Sequence, residues 1–215
     1  MKPKVISFDL DGTLVDKNFD DSLWFQELPR LYAEKHGVSF QEAWKHCTDS
    51  YAGLGDQDLR WYDIDHWLSQ FEISVPSSKL IDDLSHMIKL FDDSVPALES
   101  LKNKGYDLIV LSNANRKFLD VKIKAEGMKY FFSRVYSVTS DFGQVKKSRD
   151  VYEKICAELK IAPGEMVHVG DHEGFDYLAP LEAGVHAFLL DRFGRHPQVS
   201  KNKVATLEEF AKLFP

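Results

Sequence analysis

Near the start of the chain, two aspartates one residue apart follow directly on an apolar run: Val5-Ile6-Ser7-Phe8-Asp9-Leu10-Asp11-Gly12-Thr13. In an extended segment residues i and i+2 face the same side, so Asp9 and Asp11 can converge on one small space at a strand end. Like charges held that close repel unless a cation or a shared proton settles them. A simple turn accounts for an Asp-Gly pair taken alone. It does not account for the same pattern recurring: Ser112-Asn113 end a second apolar run, and Gly170-Asp171 end another, with Asp176 five residues later. Lys146-Lys147 stand just ahead of an amphipathic segment. In such a set one carboxylate can attack as a nucleophile, another can move a proton, and a lysine can offset an anion.

The elements that must position these groups can be read from the same apolar runs. Residues 4–8, 106–111, 134–138, 166–169 and 186–190 are short, β-branched and continuously apolar, as strands buried on both faces of a parallel sheet require. Helical patterns fall between them at 95–104, 118–126, 149–159 and 176–183, and three of the four stop at Gly105, Gly127 and Gly184. Alternating strands and helices predict an α/β fold: a Rossmann-like parallel-sheet core of about five strands with helices on both faces. From 16 to 91 no strand-like run occurs. Helical patterns at 23–36, 40–51, 61–71 and 77–90 instead predict an all-helical cap inserted after the first strand, with 1–15 and 92–215 as the core. In open parallel sheets ligands bind beyond the carboxyl ends of the strands, where the residues above gather.

Composition narrows the function classes. The chain has 215 residues and is 44% hydrophobic, enough to bury a core. A formal net charge of −7 with no basic block argues against nucleic acid as a partner. No stretch is long and apolar enough to span a membrane, and the first strand leaves no room for a signal peptide. Cys47 and Cys156 stand far apart in no metal-binding spacing and read as reduced, buried thiols. A cytoplasmic protein, monomer or homodimer, is the expectation.

The four strand-end motifs together resemble those of the haloacid dehalogenase superfamily, over the whole core. Asp9-Leu10-Asp11-Gly12-Thr13 is similar to its first motif, Ser112-Asn113 to its second, Lys146 to its third and Gly170-Asp171-His172-Glu173-Gly174-Phe175-Asp176 to its fourth. The helical insert resembles the cap of the subgroup that includes phosphoglycolate phosphatases. The resemblance implies an Mg²⁺-dependent phosphatase acting on a small phosphorylated metabolite. It implies that Asp9 attacks phosphorus and forms an aspartyl-phosphate, and that Asp11 moves the proton. Ser112, Asn113 and Lys146 would bind the phosphoryl group. Asp9, Asp171 and Asp176 would hold the metal, with Asp11 contributing its main-chain carbonyl, and Asp176 could alternatively orient the lysine. Clustered carboxylates select a hard cation such as Mg²⁺.

The chain departs from the family pattern at the third motif, where Lys147 replaces the usual proline. Counting back from Tyr152 favours Lys146, with Lys147 the alternative. A 2-haloacid dehalogenase would use the same nucleophile, but a halide leaving group needs no proton, which leaves Asp11 without a task. A phosphomutase would share every core residue, and a non-catalytic binding protein would have no need of all four carboxylates. In the insert, His36, His46, His66 and His86 make no metal spacing, and Trp24, Trp44, Trp61 and Trp67 read as packing residues. Gly53-Leu54-Gly55-Asp56 is either a helix–helix turn or a loop facing the site. Arg60 reads as solvent-facing, and Asp16 as a linker or hinge residue.

Overall fold

The apolar runs form one parallel sheet in the computed structural model, which describes residues 3–215. Residues 1 and 2, assigned above to the core, lie outside the described residues. The strands are β1 (Val5–Phe8), β2 (Asp107–Ser112), β3 (Arg134–Ser137), β4 (Met166–Gly170), β5 (His186–Leu190) and β6 (Lys203–Val204). Their order is β3-β2-β1-β4-β5-β6, with every neighbouring pair parallel. The sixth strand adds one to the about five expected. It is two residues long, too short for any periodic signal.

Successive residues of each strand feed opposite faces. Ile6, Phe8, Leu108, Val110, Val167 and Val169 pack on one side, while Val5, Ile109, Leu111 and Met166 pack on the other. The first face is covered by α5 (Ser94–Asn103), α6 (Arg116–Lys122) and α9 (Leu207–Lys212). The second is covered by α7 (Arg149–Leu159) and α8 (residues 173–182), whose first turns are π-helical. Phe210 meets Phe8 edge-on at 6.0 Å. Burying such side chains contributes roughly 1.5–3 kcal/mol each and locks the strand ends in register.

Between β1 and α5 the chain forms a helical insertion. Its members are α1 (residues 18–36, with a π turn over Leu23–Glu27), α2 (Phe40–Leu54), α3 (Ile64–Gln70) and α4 (Ser77–Leu84). A capping box starts α2: the Glu42 N–H donates to Ser39 Oγ, and the Ser39 N–H donates to the Glu42 carboxylate. The segment expected as one helix over 77–90 ends at Leu84, then makes a single 3₁₀ turn over Ser85–Met87.

The insertion has its own apolar centre, including Leu23, Leu28, Cys47, Trp67 and Phe71, and this centre rests on Phe118 of α6. Its two linkers are clasped where they leave and re-enter the sheet. Val15 bridges Leu90, the Asp16 N–H donates to Lys89 O at 2.9 Å, and the Phe91 N–H donates to Leu14 O at 3.1 Å.

Candidate active site

Hydrogen bonding carries β1 one residue past its end, because the Asp9 N–H donates to Val169 O at 2.9 Å. The chain then turns sharply around Leu10, whose carbonyl accepts from the N–H groups of Leu14 and Val15 at 2.9 and 3.0 Å. Gly12 makes the turn possible. Its φ is +87°, and a Cβ there would lie 2.2 Å from Asp171 Oδ2. The close approach brings the β1 loop against the end of β4. Gly170 does the same on β4, where a Cβ would lie 2.4 Å from Asp176 Cγ. The glycine of each motif is thus the space its partner carboxylate needs.

Asp9 is 6% exposed and both its carboxylate oxygens are held. Thr13 Oγ1 donates to Oδ2 at 3.1 Å, and Lys147 Nζ donates to Oδ1 at 2.5 Å. Lys147 Nζ also donates to Asp176 Oδ1 at 2.5 Å. Burial alone would lower the ammonium's pKa; Asp176 and Asp9 beside it reverse that and keep it charged. Asp176 is buried too, yet Lys147 and a hydrogen bond from His168 hold its carboxyl well below the usual range. His168 spans from Asp176 Oδ1, 3.1 Å from Nε2, to Ser7 Oγ, 2.9 Å from Nδ1. Burial keeps that imidazole neutral.

The lysine expectation is therefore corrected. Lys146 does not reach Asp9; its Nζ lies 2.7 Å from Asp56 of the Gly53-Leu54-Gly55-Asp56 loop. Lys146 lies in a bend ahead of α7, so strand-like alternation does not set which lysine points inward. The Lys147 N–H donates to Asn113 Oδ1 at 2.9 Å, which fixes Lys147 as the inward member. Asn113 thus positions the lysine, and Ser112 Oγ, which lines the cavity, accepts from the Ala114 N–H at 3.0 Å.

Asp9, Asp171 and Asp176 offer one oxygen each within 4.8 Å of one another. Burial, then the charge of Asp9, pushes the Asp171 carboxyl up to about 6, with Lys17 opposing at 3.1 Å. A cation would relieve that repulsion, and an all-oxygen carboxylate set suits a hard divalent ion. The Asp11 carboxylate is not part of this group, in keeping with an expected role for its main-chain carbonyl alone. The side chain turns instead to Lys122, at the end of α6.

Lys122 is 1% exposed at its side chain, and its Nζ donates to Asp11 Oδ1 at 2.5 Å. It also donates to both oxygens of Asp20 in α1, at 2.8 and 2.6 Å. Burial opposes its charge, but the two carboxylates raise its pKa and keep it an ammonium ion. A buried ammonium costs several kcal/mol unless paired in this way. Burial pushes the Asp11 carboxyl up to about 7, Lys122 pulls it down and Asp20 adds to the rise. Lys122 therefore bridges the sheet's proton-carrying candidate to the helical insertion. Sequence reasoning missed it, because a lysine at a helix end gives no signal of burial. Thr13 was missed as a partner of Asp9, although it stands inside the first motif.

Asp9, Asp11, Lys147, Asp171 and Asp176 floor a cavity of about 370 Å³ whose far wall comes from the insertion and α6: Trp24, Tyr51, Trp61, Tyr62, Trp67 and Phe118. Trp44 is outside it and 43% exposed. Arg60 pairs with Asp58 at 2.6 Å and does not line it. The insertion's histidines form no metal group among the described residues; His46 stacks on Tyr32, and His36 Nε2 lies 3.1 Å from Phe71 O. Both cysteines are free and buried. Among the described residues no helix is long and apolar enough to cross a membrane.

Comparison with known proteins agrees with this architecture. GMP/IMP nucleotidase YrfG of Escherichia coli (strain K12) is 27% identical over 168 residues, covering 78% of this chain and 74% of that protein. A phosphoglycolate phosphatase of Vibrio vulnificus (strain YJ016) is 27% identical over 202 residues, covering 86% and 82%. The crystal structure of a HAD phosphatase from Thermococcus onnurineus superimposes with a TM-score of 0.86 at 25% identity, covering 99% of this chain and 97% of that one. The family model of haloacid dehalogenase-like hydrolases matches residues 3–184, and the chain belongs to that family.

Proposed function

We propose that the enzyme is an Mg²⁺-dependent phosphatase that hydrolyses a small phosphorylated metabolite through an aspartyl-phosphate on Asp9. The observation that carries this reading is the buried ammonium of Lys147 held between Asp9 and Asp176 at 2.5 Å from each. A lysine fixed beside a nucleophilic carboxylate draws an anionic substrate to it and offsets the charge that accumulates as the two approach. Asp9 attacks phosphorus, the ester P–O bond breaks, and Asp11 gives its proton to the departing alkoxide. Asp11 then takes a proton from the water that attacks the aspartyl-phosphate, which frees Asp9 and inorganic phosphate. Asp171 and Asp176, with Asp9, would hold the cation, which when bound supplies charge neutralisation between carboxylate and phosphate.

Thr13 fixes the rotamer of Asp9, Asn113 the main chain of Lys147, and His168 the carboxylate of Asp176. Ser112, buried at the end of β2, supplies a hydroxyl to a phosphoryl oxygen. A protonated Asp11 held by Lys122 favours phosphoester over carbon–halogen cleavage, since only the former needs an acid. The helical insertion acts as a cap that excludes bulk water and limits substrate size. Cytoplasmic residence fits the reduced cysteines.

Phosphate release from a panel of small phosphoesters, run with Mg²⁺ and with EDTA, tests the reading. Metal-dependent release supports it. Chloride release from a 2-haloacid, with no phosphate from any ester, would overturn it.

A further inference from the structure

The wall opposite Asp9 is aromatic, and three of its polar edges are already used. Tyr51 Oη donates to Trp24 O at 3.2 Å, Trp67 Nε1 to Trp61 O at 3.1 Å and Tyr62 Oη to Asp56 O at 3.3 Å. The rings also lock one another in place. Trp24 meets Tyr51 and Phe118 edge-on, each at 5.8 Å, and Tyr51 meets Trp67 at 4.7 Å and 83°. This is a preorganised apolar surface of the kind that receives a flat ring.

Charge points the same way. Among the described residues that line the cavity, the cations are Lys17 and Lys147, and both sit on carboxylates of the sheet edge. Lys146 and Arg60 are paired with Asp56 and Asp58, and neither lines the cavity. Asp20 and Asp21 do line it. A second anionic group on the substrate would find no free cation there and would meet Asp21 beside an Asp20 already held by Lys122. The cavity's 370 Å³ lies near the small end of the roughly 300–1,000 Å³ usual for such sites, so it suits one ring system.

We propose that this wall is a subsite for a flat, uncharged ring system on the alcohol side of the phosphoester. The preferred substrates are then aromatic phosphomonoesters, with a nucleobase or a simple aryl group as the ring. Short carboxylated esters and bisphosphates are excluded, and a phosphomutase, which must hold a second phosphoryl group, is disfavoured with them. The proposal rests on the phosphatase reading for its substrate class but not for its binding surface.

Two measurements separate these. In the first, adenosine or guanosine, which carries no phosphate, is titrated while the cap tryptophans' fluorescence is followed, with glycolate as the control. Saturable quenching by the nucleoside alone is expected; its absence overturns the ring subsite whether or not the protein is a phosphatase.

In the second, kcat/KM is compared, with Mg²⁺, for nucleoside 5′-monophosphates, phenyl phosphate, ribose 5-phosphate, phosphoglycolate and a sugar bisphosphate. Ring-bearing esters should lead ringless ones by about tenfold or more, as stacking on aromatic side chains gives. A lead for the nucleotides over phenyl phosphate assigns the ring as a nucleobase, and the reverse assigns it as an aryl group. Phosphoglycolate or the bisphosphate at the top would overturn the subsite while leaving the phosphatase reading intact. Release from no ester would overturn the phosphatase reading alone if the nucleoside still quenches. Trp61→Ala should shrink the ring-to-ringless ratio several-fold; an equal loss for both classes would show a structural role and count against the proposal.

Discussion

Two surfaces face each other across the cavity, and they are built from different materials. At the sheet edge each charged group has a partner of opposite sign: Lys147 with Asp9 and Asp176, Lys17 with Asp171, Lys122 with Asp11. Across the cavity the insertion offers mostly ring surfaces held by edge-to-face contacts and main-chain hydrogen bonds. The first arrangement depends on charge at fixed distances and fails if one member is removed. The second depends on shape and loses affinity in smaller steps. The proposed chemistry draws on the strand ends and the proposed selectivity on the inserted helices, with Lys122 and its two carboxylates tying one to the other.

The sheet edge should break most severely at its proposed nucleophile. Asp9→Asn should lower kcat by about 10³-fold or more, since a neutral amide does not attack phosphorus. Circular dichroism and the melting temperature should stay near wild type, because the amide oxygen can still accept from Thr13 or Lys147.

Next come the adjacent lysines. Lys147→Ala should lower kcat/KM by about 10²–10⁴-fold and cost stability, since it strands two buried carboxylates. Lys146→Ala should change kcat/KM by no more than a few-fold, because a half-exposed partner such as Asp56 sets a weak pair. Steady-state kinetics on both variants check the assignment, and equal losses would undo it.

The bridge between the two surfaces should respond more mildly. Lys122→Met is expected to lower kcat by about tenfold by releasing Asp11. Its pH profile carries a sharper signature. Lys122 pulls the Asp11 pKa down, so its removal should move the alkaline limb of kcat to higher pH. A purely structural role would leave that limb in place.

The smallest effect expected is on stability without metal. Asp11 and Asp171 titrate near 7 and 6 in the folded chain, above the ordinary carboxylate value near 4. Between about pH 4 and 7 these two groups hold protons in the folded state that they release in the unfolded state, so their contribution to stability falls as pH rises through that window, while His168, kept neutral by burial, works against it below about pH 6.5. The melting temperature in EDTA should drop by roughly 5 °C from pH 5 to pH 8, and Mg²⁺ should raise it more at pH 8 than at pH 5. A rise with pH in EDTA would contradict the account.

How far the sequence disclosed this molecule depended on the range of the interaction. Strand positions followed from local apolar runs, and the Asp9–Asp11 and Gly170–Asp171 placements followed from strand ends. The inward choice of Lys147 over Lys146 did not, since it turns on a hydrogen bond from the Lys147 N–H to Asn113, 34 positions away. Lys122 joins residues 111 and 102 positions distant, and no periodicity encodes that. The tryptophans read as packing residues, and Trp67 is indeed buried at 2% exposure. That the same rings also line a cavity becomes visible only once α1, α2 and α3 are folded onto α6.

The most direct test of the account is whether phosphate passes through Asp9. Enzyme mixed with a turned-over phosphomonoester and Mg²⁺, quenched in acid within a turnover and digested, should yield one phosphorylated peptide, the one containing Asp9. The adduct should vanish in EDTA and in Asp9→Asn. Rapid phosphate release with no adduct on that peptide, or undiminished release by Asp9→Asn, would contradict covalent catalysis by this residue.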